Sequence, residues 1–202
     1  MRSETRLYQW VRRVPGSPGI LLTFDDGPDP DVTPRLLDLF DELAVRATFF
    51  VIGEKAVRHR PILHRMLAAG HAVGDHSWDH TYGPFFQARP RLEAWVRRSQ
   101  QQLEDLTGRA CFGFRSPAGV TTPPLIQTLR RLDLPLVHWN RRYFDTCFAF
   151  TPAKARCAAE RLQTGDVVLL HDGNSRAPGQ LVEAVRVLAQ QWMQRGSFEV
   201  FQ

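Results

Sequence analysis

The chain has 202 residues, enough for one α/β domain with a sizeable core, and its 43% hydrophobic and 23% charged content is that of an ordinary globular protein. It holds no apolar run near the roughly 20 residues that a membrane-spanning helix needs, and residues 1–19 lack the continuous apolar centre of a secretory signal, so a cytoplasmic location is expected. The net charge of +5 could favour anionic partners, but arginines scattered over solvated helix faces account for it better, and no nucleic-acid partner is expected.

Seven apolar, β-forming runs follow one another along the chain: 20–24, 47–53, 71–76, 111–116, 134–139, 166–171 and 198–202. Amphipathic helical patterns separate them at 32–45, 61–70, 91–108, 123–133, 152–165 and 179–196, several ending in glycine, an ordinary helix stop. Continuous apolar strands alternating with helices predict a parallel sheet covered on both sides. About seven such units in so short a chain suit a compact, incomplete (β/α) barrel, with residues 1–18 as an N-terminal extension and 19–202 as a single catalytic domain. Cys111, Cys147 and Cys157 show no Cys-x-x-Cys spacing and read as free thiols.

In either a barrel or an open doubly wound sheet, chemistry belongs beyond the carboxyl ends of the strands. The reactive residues fall there. Asp25 and Asp26 close the first strand in "TFDDGP" (23–28), and His76 and His80 follow the third in "HSWDH" (76–80). Arg115 ends the fourth in "FRSPAG" (114–119), Asp145 follows the fifth in "WNRRYFD" (139–145), and His171 ends the sixth in "LLHD" (169–172). His59, His64 and His71 lie elsewhere and read as structural or surface residues.

Histidines at i and i+4 share one face of a helical turn, so both imidazoles of "HSWDH" can reach one divalent ion, or else form a satisfied structural pair. A carboxylate from a neighbouring strand end would complete a facial two-histidine, one-aspartate set with open positions for water and substrate. Zinc suits these nitrogen and oxygen donors, as do cobalt, nickel and iron. The doublet then has a division of labour: one aspartate binds the metal and its neighbour acts as general base on the water, while His171 protonates the leaving group. Adjacent strand residues point to opposite sides, so the Gly27-Pro28 turn is expected to swing both carboxylates toward the barrel mouth.

Taken in order over nearly the whole chain, these five motifs resemble the polysaccharide deacetylase family, the NodB homology domain or carbohydrate esterase family 4. The resemblance implies a distorted (β/α) barrel that removes N-acetyl, sometimes O-acetyl, groups from sugars. It implies Asp25 as catalytic base, Asp26, His76 and His80 as metal ligands, and Arg115 as the partner that holds the base ionised. His171 matches the general acid, Asp145 the carboxylate that orients it, and the backbone N–H of Ala118 the oxyanion donor. Many relatives carry tyrosine at the position of Ala118, aspartate at Arg142 and tryptophan at Thr146, so the substrate is not inherited from chitin or peptidoglycan enzymes.

Aromatic loops at 81–86 and 143–150 offer Tyr82, Phe85, Phe86, Phe148 and Phe150 to a sugar or a lipid, or pack those loops onto the barrel. Pro117, Trp78, Tyr82, Phe85 and Trp139 are the candidate substrate contacts. The expected activity is metal-dependent N-deacetylation of an amino sugar in a small oligosaccharide or a lipid- or nucleotide-linked glycan. Residues 7–13, "LYQWVRR", suit a peripheral membrane contact. An amidase or deformylase with the same metal site is the alternative, and a silent sugar-binding protein is a third reading that six intact motif residues argue against.

Overall fold

The computed structural model describes residues 10–201. Leu7, Tyr8 and Gln9 of the basic N-terminal segment, and Gln202, lie outside the described residues. In chain order the strands are β1 (Trp10–Val11), β2 (Gly19–Asp25), β3 (Thr48–Val51), β4 (Ala72–Asp75), β5 (Leu136–Val137), β6 (Arg141–Arg142), β7 (Val167–His171) and β8 (Ser197–Glu199). The α-helices are α1 (Thr33–Leu43), α2 (Gly53–Arg58), α3 (Arg60–Ala68), α4 (Arg89–Thr107), α5 (Pro123–Arg131), α6 (Pro152–Arg161) and α7 (Pro178–Met193), with single 3₁₀ turns at Gly83–Phe86 and Pro117–Gly119.

Every strand ladder is parallel, in the order β4-β3-β2-β7-β6, with β8 added to the start of β2 and β1 paired to β5. Phe114 bridges Asp75 on one side and Leu136 on the other, which carries the wall from β4 to β5. Among the described residues no ladder joins β5 to β6, so the barrel has a seam there. All seven residues of β2 are buried, as a strand covered on both faces requires. Phe24, Phe40 and Phe49 interlock beneath it at ring separations of 5.4–6.4 Å. On α7, Leu181, Ala184, Val185, Leu188, Ala189 and Trp192 face the core, the 3.6-residue period that identified it as a helix. A second cluster, including Leu92, Val96, Phe114, Leu125 and Leu129, lies under α4 and α5.

The structure differs from the sequence reading at four places. The run 111–116 contributes one bridging residue, Phe114, and no full strand, because the turn at Pro117–Gly119 ends the extended stretch. The run 134–139 does not form one strand preceding Asp145. The chain crosses the seam there: His138 N donates to Val11 O, but Asn140 N donates to Val167 O, so β5 and β6 belong to opposite walls and Asp145 follows β6. Finally, α2 has only six residues, too few for a periodic signal, and was missed. Residues 10–14, placed by sequence in an extension, join the sheet through β1 and the Val14–Gly165 hydrogen bond.

Candidate active site

Asp25 is the last residue of β2, and Asp26 takes φ +70°, a left-handed conformation that aspartate tolerates better than most residues. This breaks the strand alternation and lets neighbouring carboxylates serve one site. Lys55 Nζ donates to the Asp26 carbonyl at 2.7 Å, and Ile52 N donates to Gly27 O at 2.9 Å, fastening the turn to the end of β3. From below, the backbone at Gly173 approaches so closely that a Cβ there would lie 1.9 Å from Asp26 O.

Asp26 Oδ1 lies 3.3 Å from His76 Nε2 and 3.1 Å from His80 Nε2. The donor atoms of these three residues all fall within 4.8 Å of one another, the one such grouping among the described residues. Asp26 Oδ1 is buried and has no hydrogen-bond partner among the described residues. His76 is fixed from behind, its Nδ1–H donating to Arg115 O at 2.7 Å, which leaves the Nε2 lone pair for a ligand. An unpartnered buried carboxylate oxygen flanked by two imidazole nitrogens fits a divalent cation. Burial opposes ionisation of Asp26, but the two histidines outweigh it and hold the carboxyl well below its usual range.

The histidines do not meet on a helical turn. Residues 76–80 form an irregular loop in which Ser77 and His80 both have positive φ, 69° and 56°. Asp75 pins this loop: its Oδ1 accepts from Ser77 N at 2.8 Å and from Ser99 Oγ at 2.7 Å, and Ser77 Oγ in turn accepts from His80 N at 3.0 Å. Burial raises the Asp75 carboxyl to about 7, against the hydrogen bonds from Ser99 and Ser77.

Asp25 stands beside this trio. Its Oδ2 lies 3.8 Å from His76 Nε2, and its Oδ1 accepts from Arg115 Nη1 at 2.8 Å. Arg115 is completely buried, donating further to Thr23 Oγ1, Val137 O and His138 O, with its guanidinium 4.0 Å above the Phe50 ring. Across the β2–β7 ladder, Asp25 is in register with His171. Both Asp145 oxygens are used on that residue, Oδ1 on His171 Nδ1 at 2.9 Å and Oδ2 on His171 N at 2.8 Å. Burial disfavours the imidazolium, but Asp145 and the Asp25 and Asp26 charges prevail and raise the His171 pKa.

Ala118 is exposed at φ +51°, in an open groove of about 680 Å³ shared with Gly119, His138, Trp139 and Arg142. Tyr82 is 45% exposed with its ring edge-on to His80 at 5.6 Å, whereas Pro117 is buried. Trp78 packs its ring on Gly53. Phe85 does not reach a substrate surface: it is 2% exposed, edge-on to Trp95 in the second cluster, and Phe150 is equally buried. Phe86 and Phe148 remain exposed. His71 is structural, as expected, its Nδ1 accepting from Ala47 N at 3.0 Å while burial lowers its pKa to about 4. Sequence reading missed Thr23, Asp75, Ser99 and His138, which hold these groups in place; Thr23 has a signal in its position inside a motif, and Asp75 directly precedes one.

Residues 12–137 match the sequence profile described as polysaccharide deacetylase. A chitooligosaccharide deacetylase of Sinorhizobium fredii is 34% identical over 173 residues, which is 81% of this chain and 78% of that protein. The peptidoglycan-N-acetylglucosamine deacetylase PgdA of Listeria monocytogenes is 32% identical over 155 residues, covering 76% of this chain and 32% of that longer protein. Among solved structures, a family 4 carbohydrate esterase from Streptomyces lividans in complex with acetate superposes with a TM-score of 0.79 at 27% identity, over 90% of this chain and 91% of the other.

Proposed function

Because the chain belongs to the polysaccharide deacetylase family, we propose that it is a metal-dependent hydrolase that removes the N-acetyl group from an amino sugar, in a small oligosaccharide or a lipid- or nucleotide-linked glycan. One observation carries the reading: the buried, unpartnered Asp26 Oδ1 between two imidazoles, with a second carboxylate, Asp25, kept free of the trio by Arg115.

Asp26, His76 and His80 would hold the cation, and zinc is the proposed occupant on the grounds of its oxygen and nitrogen donors. When bound, it supplies a Lewis acid for the acetyl oxygen and acidifies a water molecule. Asp25 accepts a proton from the attacking water, and Arg115 holds the Asp25 side chain in place through its hydrogen bond to Oδ1. The water oxygen bonds to the acetyl carbon, the C–N bond breaks, and His171 Nε2 gives its proton to the departing nitrogen. Asp145 holds Nδ1–H of His171, which leaves Nε2 as the exchanging atom. The Ala118 N–H is assigned to the developing oxyanion, on the strength of its place in "FRSPAG". The products are acetate and a free amine.

The test is acetate release from chitotriose by zinc-loaded, chelated and reloaded protein. Activity that disappears with the chelator and returns with zinc supports the reading. Protein with zinc bound that frees no acetate from chitotriose or any other N-acetylated sugar overturns it.

A further inference from the structure

The barrel seam carries a feature that the hydrolytic chemistry leaves unused. A cavity of about 600 Å³ opens between β6, the loop 143–150 and α6, a size that accommodates a ligand of ordinary dimensions. Its apolar lining is Tyr143, Phe144, Phe148, Phe150, Ala153 and Ala158, and its charged lining is entirely cationic. Arg141 is neutralised by Asp166 at 2.6 Å, but Arg142, Lys154 and Arg161 pair with no carboxylate among the described residues. Two of these three lie over aromatic faces, Arg142 at 4.5 Å from the Phe144 ring and Lys154 at 5.9 Å from that of Phe148. Phe144 and Phe148 are 49% and 65% exposed, which is unusual for rings of this size unless something covers them.

The cavity adjoins a second groove on the way to the reactive end of the barrel. It shares Asn140 and Arg142 with the groove that contains Ala118 and Trp139. The Trp139 ring links the two regions through packed side chains: it lies 5.7 Å from Arg142 and 5.8 Å from the buried Arg115, which pairs with Asp25 at 2.8 Å.

We propose that this seam is a subsite for a phosphate carried on an apolar chain, so that the amino sugar is presented as the glycan part of an anionic lipid. The inference rests on the deacetylase reading above. The three uncompensated cations meet the phosphate, and the aromatic and alanine lining meets the chain. A nucleotide suits the lining less well, since a base and ribose need hydrogen-bond acceptors and amides around them, and Asn140 is the one side-chain amide in this cavity.

Cys157 lines the cavity and is exposed, whereas Cys147 is exposed outside its lining, so the two thiols report occupancy without any mutation. The zinc-loaded chain is alkylated with iodoacetamide in the presence of farnesyl phosphate, farnesol, inorganic phosphate or uridine diphosphate, and each cysteine is followed by peptide mass spectrometry. Farnesyl phosphate is expected to slow modification of Cys157 saturably and leave Cys147 unchanged. Lys154→Ala and Arg161→Ala, exposed positions on α6, should each weaken that protection by about threefold to tenfold. Absence of protection, equal protection by farnesol, or stronger protection by uridine diphosphate or phosphate alone overturns the proposal. Acetate release from chitotriose and other N-acetylated sugars is measured in parallel: release without farnesyl phosphate protection sinks the subsite alone, and protection without release from any of them sinks the deacetylase reading.

Discussion

Asp25 is almost wholly buried, and its partner there is the equally buried Arg115, which donates to it at 2.8 Å. Breaking such a pair leaves a charge without a partner, so Arg115→Met should lower stability by about 3–5 kcal/mol, measured by denaturant unfolding. Asp25→Asn keeps the shape and the ligand trio while losing the base. It should retain zinc by metal analysis and lose about 10²–10⁴-fold in kcat for acetate release. His171 gives the pH dependence. Its pKa in the folded chain lies above the ordinary 6.5, so its contacts contribute their full stability below about 6.5 and lose it as the pH rises through the raised value. The acid form that the proposed proton transfer to the amine requires is lost over the same interval. Activity should therefore fall on an alkaline limb above 6.5, and Asp145→Asn should move that limb to lower pH in a kcat/KM profile.

At the scale of elements, the site depends on how tightly the ends of β2 and β7 approach each other. A methyl at Gly173 would collide with the Asp26 carbonyl, and one at Gly27 would lie 2.1 Å from the Asp172 carboxylate. Asp172 is itself fixed there by Thr33 Oγ1, which donates to its Oδ2 at 2.5 Å. Gly173→Ala should destabilise the chain by about 1–3 kcal/mol and weaken zinc binding, because the turn that aims Asp26 must shift. Gly179→Ala, in the first turn of α7 with nothing within 4 Å of the added methyl, is the matched control and should fold and bind zinc as the parent does. The "HSWDH" loop shows the same dependence on neighbours. Its spacing suggested a helical turn, but the fold uses Asp75 and Ser99 to hold an irregular path, and the two rings still reach one point. Spacing alone predicted the outcome and not the means, since i and i+4 can be brought together by a loop as well as by a helix.

For the molecule as a whole, a cation bound by the native state alone adds stability by mass action. Zinc at about 1,000 times its Kd contributes about 4 kcal/mol, so chelation should lower the Tm by roughly 10 °C in a thermal melt. Much of this architecture was determined by the sequence itself. The buried periodicity of α7, the continuous apolar run of β2 and the five ordered motifs are local properties of the chain, and each specifies a parallel α/β fold with its reactive residues at the strand ends. What the tertiary structure alone decided was contact between segments far apart in sequence. The collapse of 111–116 to a single bridging residue, the crossing of the seam between β5 and β6, and the retreat of Phe85 into the core all follow from which neighbour each backbone group meets. So does the support of Asp25 by Arg115, 90 residues away. Local pattern records which face of an element avoids water, but a hydrogen bond or a buried ion pair needs its partner in place, and that partner is positioned only when the chain has folded.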